Sequence, residues 1–302
     1  MFAWDDLRHF IALADEGSLS AAARRLKVEH ATVARRVAAL EAATGVKLVD
    51  RRSGRYALTP DGERVAANAR RMEAEAFAIE RTVRARQDDL SGEVSVSAPP
   101  AMASHMIAPR LLRFRQSYPG LRLRLLGESR TVSLLRREAD LALRLSRPSD
   151  ASLIARKVGI IPYRLYASPD YLASRREEDF EFIAFDESLD EAPHQVWLKS
   201  RAGNRPIVFR TNDMAIQSAA AAAQIGIAAL PAFIGEAGTL QRVDPDDRAI
   251  SRDLWLTFHR DLRDNAAVAA VAGFLVECVR GLSREHTGKA GHAHQRPVER
   301  SI

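Results

Sequence analysis

The stretch VEHATVARRVAALE, Val28–Glu41, decides how the first sixty residues fold. Val33, Val37 and Leu40 recur at helical spacing and share one face, and Gly45 follows as a C-terminal stop. The front carries Glu29 and His30 and the middle Arg35 and Arg36, so the helix is apolar on one side and basic beyond it. Upstream, WDDLRHFIALA (residues 4–14) sets Leu7, Phe10, Ile11 and Ala14 on one helical face. Gly17 ends that helix and Ser18 can cap the next, LSAAARRL (19–26). A brief turn at Lys27–Glu29 joins it to the quoted stretch. Three short helices, the last two linked tightly, predict a helix-turn-helix over Leu19 to Ala38.

Downstream, KLVDRRSGRYALT has two strand-like pieces flanking Arg52-Ser53-Gly54, the pattern of a hairpin wing with a basic tip. Thr59-Pro60-Asp61-Gly62 then opens a long helix, with Thr as N-cap, Pro at the first position and an acid at the second. Along it Val65, Ala69, Met72, Ala76, Ile79 and Val83 form an a/d seam. Highly charged flanks leave only a narrow apolar stripe, which favours a seam between two chains over packing on the helix's own domain.

The 302 residues carry a net charge of +6. Residues 24–55 hold nine lysines and arginines against three acids, so the charge is focused near the N-terminus, which suits a nucleic-acid partner. The single cysteine, Cys278, excludes an internal disulfide framework and reads as a buried core thiol. The start lacks a secretory pattern, and no apolar run approaches the ~18 residues of a membrane span. A soluble cytoplasmic protein is expected, with no membrane partner. No GxSxG elbow, P-loop, HExxH or metal-spaced cluster occurs, so no catalytic, metal or cofactor site is expected.

From Ser91-Gly92 the texture changes to strands alternating with helices, beginning GEVSVSAPP, LRLRLLGES, TVSLLRREA and DLALRLS. A second set contains RLYAS, FIAFD, PIVFRTN, the Ala-rich MAIQSAAAAAQIG and IAALP, before DLWLTFH and the closing helix AAVAAVAGFLVECV. That order predicts an α/β domain with a largely parallel sheet. Residues 283–302 lack apolar periodicity and are expected to be disordered, with His286, His292 and His294 solvated rather than metal-bound.

The chain resembles the LysR-type transcriptional regulators over nearly its whole length. The carriers are the loop EGSLSAAARRL, the Leu40-Glu41…Gly45 end of the quoted helix, and LTPDG. FRQSYPGLRLRL, READLALRL, PDYL, GIAALP and LWLTFHRDLRD extend the likeness. The resemblance implies an α/β protein with an N-terminal all-α winged helix-turn-helix over residues 1–59, a dimerising linker helix over 60–90, and a two-lobed effector domain like the periplasmic binding proteins over 91–282. Lobe I would take 91–161 plus 265–282 and lobe II 162–264. The chain would cross near Ile161–Tyr166 and Phe258–Asp264, the last helix packing back on lobe I. It further implies a homodimer or dimer of dimers on an inverted repeat of double-stranded DNA, a small-molecule effector, and RNA polymerase as a partner. A solute-binding protein of the same lobed fold is the alternative, disfavoured by the basic helical N-terminal portion.

A recognition helix meets base edges with its N-terminal residues, here His30, Ala31, Ala34 and Arg35. The family commonly has Ser-Gln-Pro where this chain has Glu29-His30-Ala31, and Ser where it has Ala34. Arg35 can fork onto guanine, Glu29 is first a cap or dipole partner, and Arg36 is either a solvated charge or a phosphate contact. Ser18, Ser20 and Thr32 suit phosphates or caps, and Arg52 and Arg55 a minor groove or phosphates. By resemblance the effector site takes Pro100-Ala101-Met102, Gly127-Glu128, Leu145-Ser146 and Thr211-Asn212-Asp213. Asn212 and Asp213 mark a helix start able to hold an anion. The acids Glu128 and Asp213 disfavour a simple carboxylate unless Arg144 or Arg147 compensates.

Overall fold

The structure, a computed structural model, describes residues 2–50, 56–85, 90–128, 139–244 and 250–290. It comprises two compact units, Met1–Val83 and Arg84–Ile302. No helix among the described residues is long and apolar enough to cross a membrane.

The first unit opens with α1 (Trp4–Glu16), α2 (Leu19–Leu26) and α3 (His30–Thr44). Phe10, Ile11, Ala22, Val33, Val37 and Leu40 are buried together at their meeting point. Ser18 Oγ accepts from Ala21 N at 3.2 Å and starts α2. Lys27 ends it in a left-handed conformation, φ 56°, which turns the chain within three residues into α3. Gly45 (φ 73°) closes α3. The helix runs two residues later at its start and three later at its end than the Val28–Glu41 reading. β1 (Val49–Asp50) pairs antiparallel with β2 (Ala57–Leu58), and the tip between them lies outside the described residues.

Glu41 fastens this hairpin to the helices. Its carboxylate accepts from Lys47 Nζ (2.8 Å) and from the amides of Leu48 (2.9 Å) and Val49 (3.2 Å). Burial opposes its ionisation, but these donors outweigh that and hold it below the usual carboxylate range. α4 (Pro60–Ala85) begins on Thr59, whose Oγ1 accepts from Gly62 N at 2.9 Å. A Cβ on Gly62 would lie 2.0 Å from the Leu48 carbonyl oxygen, so only glycine admits this approach.

The apolar seam of α4 divides. Val65 and Ala69 pack into the core of their own unit, with Arg70 bound to Asp15 of α1 at 2.8 Å. Met72 and Ile79 stay 47% and 69% exposed, Ala76 is half-buried, and the side chain of Val83 lies outside the described residues. The seam read as wholly intermolecular is therefore intramolecular in its first two members, because the start of α4 lies against α1.

The second unit contains β3 (Gly92–Ala98), α5 (Pro100–Met102), α6 (Leu111–Ser117), β4 (Leu121–Gly127) and β5 (Leu141–Arg144). β6 (Leu153–Ala167), α7 (Pro169–Ser174), β7 (Phe182–Phe185), α8 (Pro193–Ala202), β8 (Ile207–Thr211), α9 (Met214–Ala222) and β9 (Ile227–Pro231) follow. α10 (Ala232–Gly235), β10 (Gln241–Arg242), β11 (Ile250–His259) and α11 (Ala266–Ala290) complete it. The expected helix TVSLLRREA falls mostly outside the described residues. The strands run β4-β3-β5-β11-β6-β9-β7-β8, with β10 on β6.

The sheet is mixed rather than largely parallel. β3 is parallel to β4 and β5, and β7 to β8 and β9, one parallel set per lobe. Between them β6 and β11 run antiparallel, one carrying the chain out and the other back. Ile250 pairs with Tyr163 on the second-lobe side, whereas Trp255 already pairs with Arg144 of β5 in the first lobe. The return crossing thus lies at 250–255, not at Phe258–Asp264, and residues 255–264 do not belong to lobe II. α11 packs back on β3 and β6, with Val279 where a Cβ on Gly159 would fall. Cys278 is buried there and its thiol is pushed up to about 11 by burial. α11 runs to Ala290, eight residues into the segment expected to be disordered. Extending an existing helix adds hydrogen bonds without a new nucleus, and Ser283–Ala290 contains no proline to stop it.

Candidate functional site

On the first unit, α3 presents His30, Ala31 and Arg35 to solvent, with Thr32 and Ala34 half-buried beside them. Glu29 occupies the N-cap position, but its side chain makes no cap hydrogen bond, so the expected cap does not form. Arg36 departs from its expected role. Its Nη1 donates to Asp6 Oδ1 of α1 at 3.1 Å, and Asp5 lies within 3.8 Å. The cause is helical phase: Arg36 is three residues after Val33 and four before Leu40, which turns it toward the edge of the core. Arg35, one step round, stays open. Arg25, expected only as part of the basic run, is bound to Asp15 at 3.0 Å.

Ser18, Ser20 and His30 line one surface hollow of about 590 Å³ together with Tyr56, at the facing starts of α2 and α3. Ser18 is engaged in its cap, whereas Ser20 is exposed. Tyr56 was missed because hairpin strands this short carry no alternation to fix its direction. Arg52 and Arg55 lie outside the described residues.

On the second unit a cavity of about 430 Å³ opens between the lobes. Pro100, Ala101, Met102, Glu128, Leu145 and Ser146 line it from the first lobe, Asn212 and Asp213 from the second. Gly127 and Thr211 sit at the ends of β4 and β8 but do not line it. A π-helical turn, Ala103–Ile107, follows α5 at the wall.

Asp213 does not leave an open anion site. Its Oδ1 accepts from Ala215 N (2.7 Å) and Ile216 N (3.1 Å), so a side-chain carboxylate already fills the start of α9. Arg144 donates to the carbonyls of Leu143 (2.7 Å) and Ser97 (3.1 Å) and to Ser97 Oγ (2.8 Å). Burial lowers its pKa, while Glu128 pulls the other way. Arg147 leaves the cavity and lies over the Trp255 ring, 5.4 Å to the centroid.

Three titratable lining residues were absent from the expected effector site. Tyr163 (2% exposed) comes from β6, His194 (4% exposed) from the first turn of α8, and Arg252 from β11. The His194 ring stacks on Tyr163 (4.6 Å between centroids) and meets Phe185 edge-on (5.6 Å). Arg252 Nη1 lies 3.3 Å from His194 Nδ1, and its Nη2 donates to the Leu145 carbonyl at 3.0 Å. A guanidinium only donates, so Nδ1 accepts and the imidazole is neutral with its proton on Nε2. Burial pulls His194 down to about 4, and Arg252 adds to that. Leu189, Met214, Pro231 and Phe233 make the remaining wall predominantly apolar. Among the described residues no cluster of histidine, cysteine and acids could hold a metal ion.

Residues 87–279 match the family profile of the LysR substrate binding domain, and residues 4–63 that of bacterial regulatory helix-turn-helix proteins of the lysR family. The HTH-type transcriptional regulator CrgA of Neisseria meningitidis serogroup B is 33% identical over 169 residues, which span 56% of each chain. The AhcY transcriptional activator HvrB of Rhodobacter capsulatus is 34% identical over 226 residues, 73% of this chain and 76% of its own. The solved structure of CrgA aligns over 91% of this chain and 98% of its own, with TM-score 0.55 and 25% identity. That of the Vibrio cholerae virulence activator AphB, a fold likeness at 22% identity, covers 91% and 99% with TM-score 0.60.

Proposed function

The chain belongs to the LysR family of bacterial transcriptional regulators, and from that premise we propose that its first unit reads an operator under the control of a small molecule held between the lobes of the second. α3 enters the major groove with Arg35 on guanine and His30 on a neighbouring base, while Ala31 and Ala34 let the helix approach closely. Ser18, Ser20, Thr32 and Tyr56 lie along the phosphate backbone, and Arg52 and Arg55 extend that grip from the wing. Two chains pair through the exposed Met72 and Ile79 of α4, so that the operator is an inverted repeat in double-stranded DNA. Pairs of dimers, and contact with RNA polymerase on the promoter, complete the assembly. The protein acts in the cytoplasm and catalyses no reaction.

The observation that carries the reading is the division of labour on α3: Arg36 is bound to Asp6, whereas Arg35 and His30 stand exposed beside the hydroxyls that open α2. The test is a gel-shift assay with the intergenic DNA beside the gene. A retarded band that weakens steeply with salt is expected. Folded protein giving no band at low salt would sink the reading. His30→Gln is expected to change base preference at one half-site position and leave the salt slope unaltered.

A further inference from the structure

The two acids in the cavity wall are accounted for. Asp213 spends its Oδ1 on two backbone amides at the start of α9. Glu128 acts electrostatically on Arg144, which is further held by two carbonyls and a hydroxyl. Arg252 differs. Its partners among the described residues are the Leu145 carbonyl and the neutral His194 ring, and no carboxylate pairs with it. A half-buried guanidinium facing an apolar cavity without a counter-ion carries an uncompensated desolvation cost. Burial accordingly lowers its pKa. Beside it, the hydroxyl of Tyr163, a residue 2% exposed in the same wall, has no hydrogen-bond partner among the described residues. An unmatched cation and an unmatched donor therefore share a pocket that Met102, Phe185, Leu189 and Phe233 also line.

We propose that the effector is a small monocarboxylate with an apolar, flat body, its carboxylate taken by Arg252 and the Tyr163 hydroxyl and its body stacked among the apolar walls. This rests on reading the cavity between the lobes as the effector site. Arg252 supplies a charge-assisted contact that a neutral isostere of the ligand cannot reproduce, and the aromatic wall rewards a ring over a polar chain. A cationic ligand would meet Arg252 as a like charge. A dicarboxylate would bring a second charge for which the wall holds no further unmatched cation among its described residues.

The test is calorimetric titration of the full-length protein with benzoate, benzamide and benzylamine, which share a shape and differ in charge, and with cyclohexanecarboxylate. Benzoate is expected to bind at least tenfold more tightly than benzamide, and benzylamine not at all. Arg252→Met is expected to lose at least tenfold for benzoate while leaving benzamide unchanged, with Arg252→Lys recovering part of the loss. Melting of each variant checks the fold. Arg252→Met also takes the donor from the Leu145 carbonyl and from His194 Nδ1, so a modest loss of stability is expected beside the lost charge, with Arg252→Lys restoring part of it. Ala215→Trp and Ala192→Trp, which fill the cavity from two sides, are expected to abolish all binding. Equal affinity for benzoate and benzamide, or an Arg252→Met variant that binds benzoate unchanged, overturns the anion assignment. So does silence from both carboxylates at millimolar concentration. Benzoate binding unchanged by both tryptophan variants overturns instead the placement of the effector between the lobes.

Discussion

Arg36 in the first unit and Arg252 in the second are both partly buried, and they are held in opposite ways. Arg36 ends on the Asp6 carboxylate, and around it Arg25 and Arg70 both end on Asp15. Glu41 likewise ends on three donors. Arg252 ends on a carbonyl and an uncharged ring. The first unit thus spends its buried charge on its own scaffold and leaves Arg35 and His30 of α3 open. The second keeps an unspent charge inside, beside space for a ligand. A rigid reader and a ligand-responsive cavity need these different solutions: pairing fixes geometry, whereas an unmatched group becomes satisfied only when something binds.

The largest expected effect breaks the first half of the contrast. Glu41→Ala removes the acceptor of two buried backbone amides as well as the Lys47 partner. Each orphaned amide costs on the order of 2 kcal/mol, so the first unit should lose about 4 kcal/mol of stability, measured by denaturant unfolding. Glu41→Gln, which keeps one acceptor, should lose less. An Ala variant within about 0.5 kcal/mol of the parent would mean the amides find other partners.

The second unit should respond to acid through His194. Its folded pKa of about 4 lies below the ordinary value of 6.5. Above 6.5 neither state binds the proton, and stability does not depend on this ring. As pH falls from 6.5 toward 4 the unfolded chain takes up a proton that the folded ring refuses, and stability is lost at up to about 1.4 kcal/mol per pH unit. The whole window is worth about 3 kcal/mol. Thermal melting of His194→Gln against the parent across pH 4 to 6.5 checks it: the variant should show the shallower slope, and parallel slopes would place a charged ring in the folded cavity.

How much of this was legible before the structure follows the range of the interactions. The helix-turn-helix was legible because its signals are local: the Val33-Val37-Leu40 period, Gly17, Gly45 and the Thr59-Pro60 start all act within a turn or two. The first-lobe wall, Pro100 to Met102 and Leu145-Ser146, was named by resemblance. The Arg36–Asp6 ion pair was not foreseen because basic sequence neighbours suggest a shared role, whereas 100° per residue sends Arg36 toward Asp6 and Arg35 outward. Tyr163, His194 and Arg252 lie on three separate elements, β6, α8 and β11, and only the packing of α8 beside the crossing strands brings them together. Placing the return crossing at Phe258–Asp264 instead of 250–255 moved Arg252 out of the site. Strand register is set by pairing across ninety residues, and no local pattern in ISRDLWLTFH reports it.

The two smallest effects separate neighbours on α3 and sharpen the contrast inside one helix. Arg35→Ala should lose about 2 kcal/mol of discrimination between the operator and a version with its contacted guanine replaced, with unfolding unchanged, since Arg35 is exposed. Arg36→Ala should do the reverse. Its partly exposed ion pair with Asp6 is worth about 1 kcal/mol or less of stability, and its loss should leave base preference intact. Asp6→Asn should reproduce the Arg36→Ala stability loss, and the double variant should add little to either single one, because both break the same pair. The decisive measurement is the salt slope of operator binding for Arg36→Ala. A slope shallower by about one would mean that Arg36 leaves Asp6 to neutralise a phosphate when DNA arrives, and the first unit would then hold a charge in reserve much as the second does with Arg252.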